Sequence, residues 1–403
     1  MTVNELERAR LTTGRMTWRG LGRTIAAWAL ALVGVSAASV AEEAPVVVDR
    51  ARAQQIIRDL RSITTPGGIE ELKAVEIGGI SQWLSVRGKD RGNPILLFIH
   101  GGPAFPEMPA SWFYQTPWEE FFTVVQWDQR GAGRTMTAST PEAVQAQVSV
   151  ERMIADAVEV AGYLRKTYGK EKIFVLGHSW GSVLGLELAR RHPSWLHAYI
   201  GMGQYIEREE NERLGYEFAL SAAREAGSEA AVAELSAIAP YPKPDGKIDL
   251  MEVMTQRKWL TYFGGMTRGR SSLDYEVNAR LLSPDYELND LEWARYQGVS
   301  AAKLVAEFVN IDYSKLNRLE CPVFILAGRT DYAVSSVVAS RWFSKLEAPL
   351  KRLIWFEHSS HMMQFEEPGK LLLTLVRDVR PLAVEAGDGR ALEETAAPIS
   401  SPR

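Results

Sequence analysis

The chain has 403 residues, with 46 Lys+Arg against 50 Asp+Glu for a formal net charge of −4, and 46% of its residues are hydrophobic. Intrinsic disorder needs low hydrophobicity with high net charge, and a basic nucleic-acid binder needs an excess of Lys and Arg, so neither class fits. A lone cysteine, Cys321, excludes an internal disulfide and a multi-cysteine zinc site; beside the apolar run 323–326 it reads as a small buried hydrophobe. At roughly 150 residues per domain the length allows two or three domains, or one α/β domain with an insertion.

In chain order, the first feature is the run 25–41, IAAWALALVGVSAASVA, which is uncharged, preceded by Arg15, Arg19 and Arg23, and followed by Glu42 and Glu43. A basic, then apolar, then small-residue order ending in Ser39-Val40-Ala41 predicts a secretory signal peptide over 1–41, cleaved after Ala41. Its strongly apolar part ends near Val35, short of the roughly 20 residues of a spanning helix, so a membrane is met only through this segment if it stays uncleaved. Met16 offers a second start. The expected location is secreted or periplasmic.

The next segments alternate strand and helix. The runs 95–99 (ILLFI) and 123–127 (TVVQW) are β-branched and aromatic-rich, as buried strands should be. The first ends at His100-Gly101-Gly102-Pro103. Residues 149–168 carry Met153, Ile154, Ala157, Ala161 and Leu164 at helical spacing, closed by Gly169. A strand at 173–176 then meets Gly177-His178-Ser179-Trp180-Gly181, a G-x-S-x-G between a strand and the helix 180–191. Glycines two positions either side of Ser179 allow the tight turn that lifts a serine hydroxyl above a sheet, where the helix behind it favours developing negative charge. A strand at 198–201 follows. The rhythm breaks over 206–310, which is helical and charged, and which reads as a cap inserted between two parts of the core, 42–205 and 311–385. Strands at 323–327 and 353–356, with a helix at 334–346 between them, complete a mostly parallel sheet wrapped by helices. Residues 386–403 read as a disordered tail.

A serine alcohol needs a base, and the base needs an orienting carboxylate. Of the six histidines, His358 and His361 follow the last strand, where chain order Ser, Asp, His places the base. His361 is preferred, because His358 lies closer to the strand, where a partly buried structural role fits better. His192 and His197 flank Pro193 on an expected surface corner. Asp331 is the acid by elimination, since no other carboxylate stands between Glu320 and Glu347; it also suits capping of the following helix. Two backbone donors for an oxyanion are expected, the N–H of Trp180 and that of Gly102.

These residues resemble a family. His100-Gly101-Gly102-Pro103, Asp128-Gln129-Arg130-Gly131-Ala132-Gly133, Gly177-His178-Ser179-Trp180-Gly181 and Gly328-Arg329-Thr330-Asp331 look like the ordered motifs of the proline iminopeptidase branch of the α/β-hydrolases. The resemblance covers most of 94–203 and 319–368. It implies an α/β-hydrolase fold with a helical cap, a Ser179, Asp331, His361 triad, and release of an N-terminal proline or small residue from peptides or amides, with no cofactor or metal. The first motif departs from the family pattern, with Ala104 where glycine is usual. Peptidase caps supply acidic residues for the substrate's free amine; here Glu207, Glu209, Glu210, Glu212 and Glu217 are candidates, but their helical spacing among Arg208 and Arg213 reads as a solvated face. The expected partner is a small peptide, amide or ester, and no nucleic acid. Substrate-binding residues and oligomeric state are not legible. The alternative activity is an esterase or amidase of small acyl compounds, and a further one is a silent binding protein of the same fold.

Overall fold

The computed structural model describes residues 49–390, apart from 141, 143, 145, 146, 248, 293–301 and 309. The signal peptide expected over 1–41 and residues 391–403 of the expected tail lie outside the described residues.

An eight-stranded sheet organises the core in the order β1-β2-β4-β3-β5-β6-β7-β8. After helix α1 (Arg50–Leu60) come β1 (Ile69–Ile77), β2 (Ile80–Gly88), β3 (Ile95–Ile99) and β4 (Thr123–Asp128). Helices α2 (Gly133–Thr137) and α3 (Val150–Thr167) precede β5 (Ile173–His178), α4 (Trp180–Arg191) and β6 (Leu196–Met202). Between β6 and β7 (Val323–Gly328) lie α5 (Arg208–Glu225), α6 (Glu229–Ala237), α7 (Leu250–Tyr262), α8 (Asp274–Leu281) and α9 (Ala302–Phe308), with no strand among the described residues. Then follow α10 (Ser336–Lys345), β8 (Lys351–Phe356) and the short helices α11 (Met363–Glu366), α12 (Pro368–Thr374) and α13 (Pro381–Glu385).

β2 pairs antiparallel with both β1 and β4, whereas β4, β3, β5, β6, β7 and β8 pair in parallel. Side chains alternate across the sheet, so β3 sends Leu97 and Ile99 to one core and Leu96 and Phe98 to the other. Burial on both faces explains why β3 is wholly apolar. Parallel strands also bring their C-terminal ends to one edge, so the loops after β3, β5, β7 and β8 converge there.

Two expectations need correction. His197 is not on a surface corner: it is buried in β6, with Nε2 2.9 Å from Asp388 Oδ2. Asp388 also pairs with Lys170 at 2.5 Å, so the segment expected to begin a disordered tail at 386 packs on the body through Asp388. Those two contacts anchor a stretch whose composition carries few large apolar groups.

Candidate active site

Ser179 stands between β5 and α4 with φ 55 and ψ −121, a left-handed backbone that a residue with a side chain adopts only when its surroundings impose it. Close packing imposes it here. A Cβ on Gly177 would lie 2.8 Å from Ser182 Cα, and one on Gly181 would strike the carbonyls of Ile99 and His100, so both glycines are needed for the turn to sit against β3 and α4. The Ser179 N–H donates to the Met202 carbonyl at 3.0 Å, which fastens the turn to the end of β6.

Asp331 follows β7. Its Oδ1 accepts from the N–H groups of Ala333 (3.0 Å) and Val334 (2.9 Å), while Oδ2 lies 2.8 Å from His361 Nδ1. One carboxylate oxygen therefore holds the turn before α10 and the other holds the imidazole; the expected capping of α10 is not formed, because that helix begins after Ser335, four residues further on. A neutral His361 that gives its Nδ1–H to this carboxylate keeps the Nε2 lone pair as a proton acceptor. Its backbone is fixed too: the His361 N–H donates to the Met266 carbonyl at 3.1 Å, and its own carbonyl lies 3.0 Å from His178 Nε2. Burial holds His178 well below the ordinary histidine range, so His178 is a neutral donor. His358 is exposed rather than partly buried, and its N–H donates to Glu367.

The loop after β3 passes alongside. A Cβ on Gly101 would be 3.1 Å from Ser179 Cβ, so this backbone runs against the serine. Gly102 has φ 120, open only to glycine, and a Cβ there would be 2.7 Å from the Ala104 and Phe105 nitrogens. Ala104, the departure from the family pattern, sits at φ 61, where a glycine would be free of the Cβ penalty.

A buried charged cluster completes the site. Arg280, on α8, reaches Glu107 Oε2 at 3.2 Å, pairs with Glu276 and donates to the Pro106 carbonyl, with its guanidinium 4.1 Å from the Phe105 ring centroid. Gln364 Nε2 donates to Glu107 Oε1 at 3.3 Å. Glu276 is fully buried and its Oε2 has no hydrogen-bond partner among the described residues. Burial pushes the Glu276 carboxyl up to about 7 against the pull of Arg280, and His361 lies close enough to act on it. Burial likewise raises Glu107.

None of the acidic candidates from the start of the cap belongs to this cluster. Glu207 caps α5, Glu210 and Glu217 pair with Arg213, and Glu209 is exposed. Glu212 does not belong to a solvated face: it is buried, held by Arg257 at 3.1 Å and by the Tyr241 hydroxyl at 2.6 Å. Sequence reasoning missed Glu107, Glu276 and Arg280. The i,i+4 spacing of Glu276 and Arg280 resembles an ordinary surface pair, and Glu107 is brought to them only by the fold.

Among the described residues no group of three His, Cys, Asp or Glu side chains is placed to hold a metal ion. Cys321 is buried, and burial pushes its thiol up to about 12, far from reactive.

A parallel sheet with a serine turn after β5 and an acid and histidine on the loops after β7 and β8 defines a hydrolase of the α/β type. The chain belongs to the alpha/beta hydrolase fold family, whose pattern matches residues 94–368. It is 29% identical over 314 residues to a probable aminopeptidase (YbaC) of Bacillus subtilis strain 168, a match covering 77% of this chain and 96% of that protein. A proline iminopeptidase of Arabidopsis thaliana is 31% identical over 130 residues, 32% of this chain and 31% of the relative. The solved proline iminopeptidase of Mycobacterium smegmatis shares the fold, with a TM-score of 0.55 at 19% identity over 78% of this chain and all of that one.

Proposed function

We propose that the protein is a serine aminopeptidase that releases an N-terminal proline or small residue from short peptides and amides. Ser179 Oγ attacks the carbonyl carbon while His361 Nε2 takes its proton; the same nitrogen returns the proton to the leaving amine, and Asp331 holds the ring throughout. The N–H groups of Gly102 and Trp180 receive the oxyanion, and water then attacks the acyl-enzyme by the same route. Export through the 1–41 segment forms part of this reading.

The observation that carries the choice of an amine substrate is Glu276 Oε2, a buried carboxylate oxygen beside His361 that has no hydrogen-bond partner among the described residues. Two carboxylates, Glu107 and Glu276, face one guanidinium, so when both are ionised the cluster has an excess negative charge that an α-ammonium neutralises. The similarity to a probable aminopeptidase over most of both chains supports the same reading.

The test compares prolyl and alanyl naphthylamides with p-nitrophenyl acetate, an ester without an amine. Glu276→Gln should lower kcat/KM for the aminoacyl amides by about 10- to 100-fold, the range for a hydrogen bond to a charged group, and leave the ester little changed. For the wild type, the amide-to-ester ratio should rise with pH as Glu276 ionises near 7, then fall as the substrate amine loses its proton at about 8. Turnover of the ester with no amide cleavage, or an equal loss on both substrates in the variant, would refute the amine-binding role.

A further inference from the structure

Gln129 leaves the end of β4 and is completely buried between the end of β3 and the start of α4. Both ends of its amide are committed. Oε1 accepts from the Trp180 indole N–H at 3.1 Å, and Nε2 donates to the His100 carbonyl at 2.9 Å. An indole N–H can only donate and a carbonyl can only accept, so one orientation of the amide satisfies both. The Gln129 backbone N–H meets His100 Nε2 at 3.4 Å. Since that N–H also can only donate, Nε2 is the unprotonated ring nitrogen.

Burial holds His100 down to about 3, so the ring is neutral and its single proton is on Nδ1. Nδ1 lies 2.8 Å from the Gly101 carbonyl oxygen, which accepts it. The peptide joining Gly101 to Gly102 is not among the cis bonds of the described residues, and in a trans peptide the C=O and N–H point in opposite directions. Holding the Gly101 carbonyl on His100 therefore fixes the direction of the Gly102 N–H. The other expected donor belongs to Trp180, whose side chain the same glutamine holds.

We infer that Gln129 is a positioning residue of the oxyanion hole: through His100 it sets the direction of the Gly102 N–H, and through the indole it ties that loop to Trp180. It touches no reacting atom. The inference rests on the reading of Ser179 as nucleophile and of these two N–H groups as oxyanion donors.

The experiment uses Gln129→Met, which keeps the length and removes both side-chain hydrogen bonds while leaving the backbone N–H on His100, and Trp180→Phe, which keeps the backbone N–H and removes the indole donor. Active sites are titrated with a fluorophosphonate so that kcat is expressed per competent enzyme. With p-nitrophenyl acetate, Gln129→Met should lose about 10- to 100-fold in kcat with KM nearly unchanged, somewhat less than the loss of an oxyanion donor outright. The affinity for phenylboronic acid, which forms a tetrahedral adduct on the serine, should fall by a similar factor. Trp180→Phe should show a smaller loss of the same kind, and the double variant should fall short of the product of the two. A merely structural role lowers the melting temperature or the titratable fraction and leaves titrated kcat and boronate affinity alone, which overturns the inference. Should Gln129→Met fail to fold, Trp180→Phe decides by the same readouts. Ser179→Ala separates the levels: if it retains wild-type hydrolysis, the underlying reading fails and this inference with it, whereas an inactive Ser179→Ala beside an unaffected Gln129→Met overturns the Gln129 assignment alone.

Discussion

Asp128 is the clearest case of a single buried group with a measurable signature. Its Oδ2 accepts from the Arg134 N–H at 2.7 Å and from the Tyr286 hydroxyl, which joins α2 to the segment between β6 and β7. Burial pushes the carboxyl up from 3.8 to about 7, more than these donors pull it down. Between those values the folded chain keeps a proton that the unfolded chain has lost, so this group's contribution to stability is present at low pH and fades as pH rises toward about 7. The difference in melting temperature between Asp128→Asn and the wild type should therefore shift in the variant's favour from pH 4 to pH 7. A constant offset across that range would show that another group titrates. Legibility also differs residue by residue. Ser179 could be read because a strained turn demands glycines at fixed offsets, and Asp331 and His361 because each follows a strand in a known order. Glu107 and Glu276 carry no such local constraint; their pairing exists only once α8 folds against the loop after β3.

At the scale of elements, the insertion is fastened to the loops that carry the acid and the histidine. The carbonyls of Gly264, Gly265 and Met266 accept from the Ser360 hydroxyl (2.7 Å), the Tyr332 N–H (3.0 Å) and the His361 N–H (3.1 Å). From α5, Asn211 Oδ1 accepts from the Ser335 N–H at 2.7 Å and its Nδ2 donates to the Ala333 carbonyl at 3.2 Å. That clamp braces the same turn whose N–H groups hold Asp331 Oδ1. Asn211→Ala leaves a buried N–H unsatisfied and should lower stability by about 1–3 kcal/mol in urea unfolding, with a fall in kcat as the turn loosens. Unchanged unfolding would mean that water replaces the amide. The sequence pattern was readable for β3 to β7 because buried strands are largely apolar runs, and for β8, an edge strand with exposed Lys351 and Arg352, through its apolar stretch 353–356. It was not read for β1 and β2, where charged or polar residues interrupt the apolar ones: β1 is IEELKAVEI, an edge strand with one side exposed and the other half-buried, β2 is ISQWLSVRG, and the turn Gly78-Gly79 joins them.

For the whole molecule, the strand order brings four loops to one sheet edge, and these loops carry every residue of the proposed triad and both expected oxyanion donors. The length that first suggested two or three domains is taken up by one sheet with a helical insertion, preceded by a segment with signal-like order. Export predicts that the protein recovered outside the cytoplasm begins at Glu42; N-terminal sequencing that finds Met1 or Met16 retained would overturn it. The near-neutral total charge conceals strong local fields. Buried Arg130 pairs with buried Asp156 at 2.8 Å, and Arg280 lies between two carboxylates, so these fields are internal and largely shielded from salt; in the proposed reading the second of them selects the substrate amine.

The three carbonyls of 264–266 also bear on how such enzymes diversify. A cap joined only at its two ends can be exchanged between relatives as a module. Here a graft that replaced 206–310 alone would bring foreign backbone acceptors to the N–H groups of Tyr332 and His361, and the recipient would lose alignment at its acid and base while gaining a new pocket. Chimeras should therefore transfer 264–268 together with the loops 328–335 and 357–366, as one inherited unit.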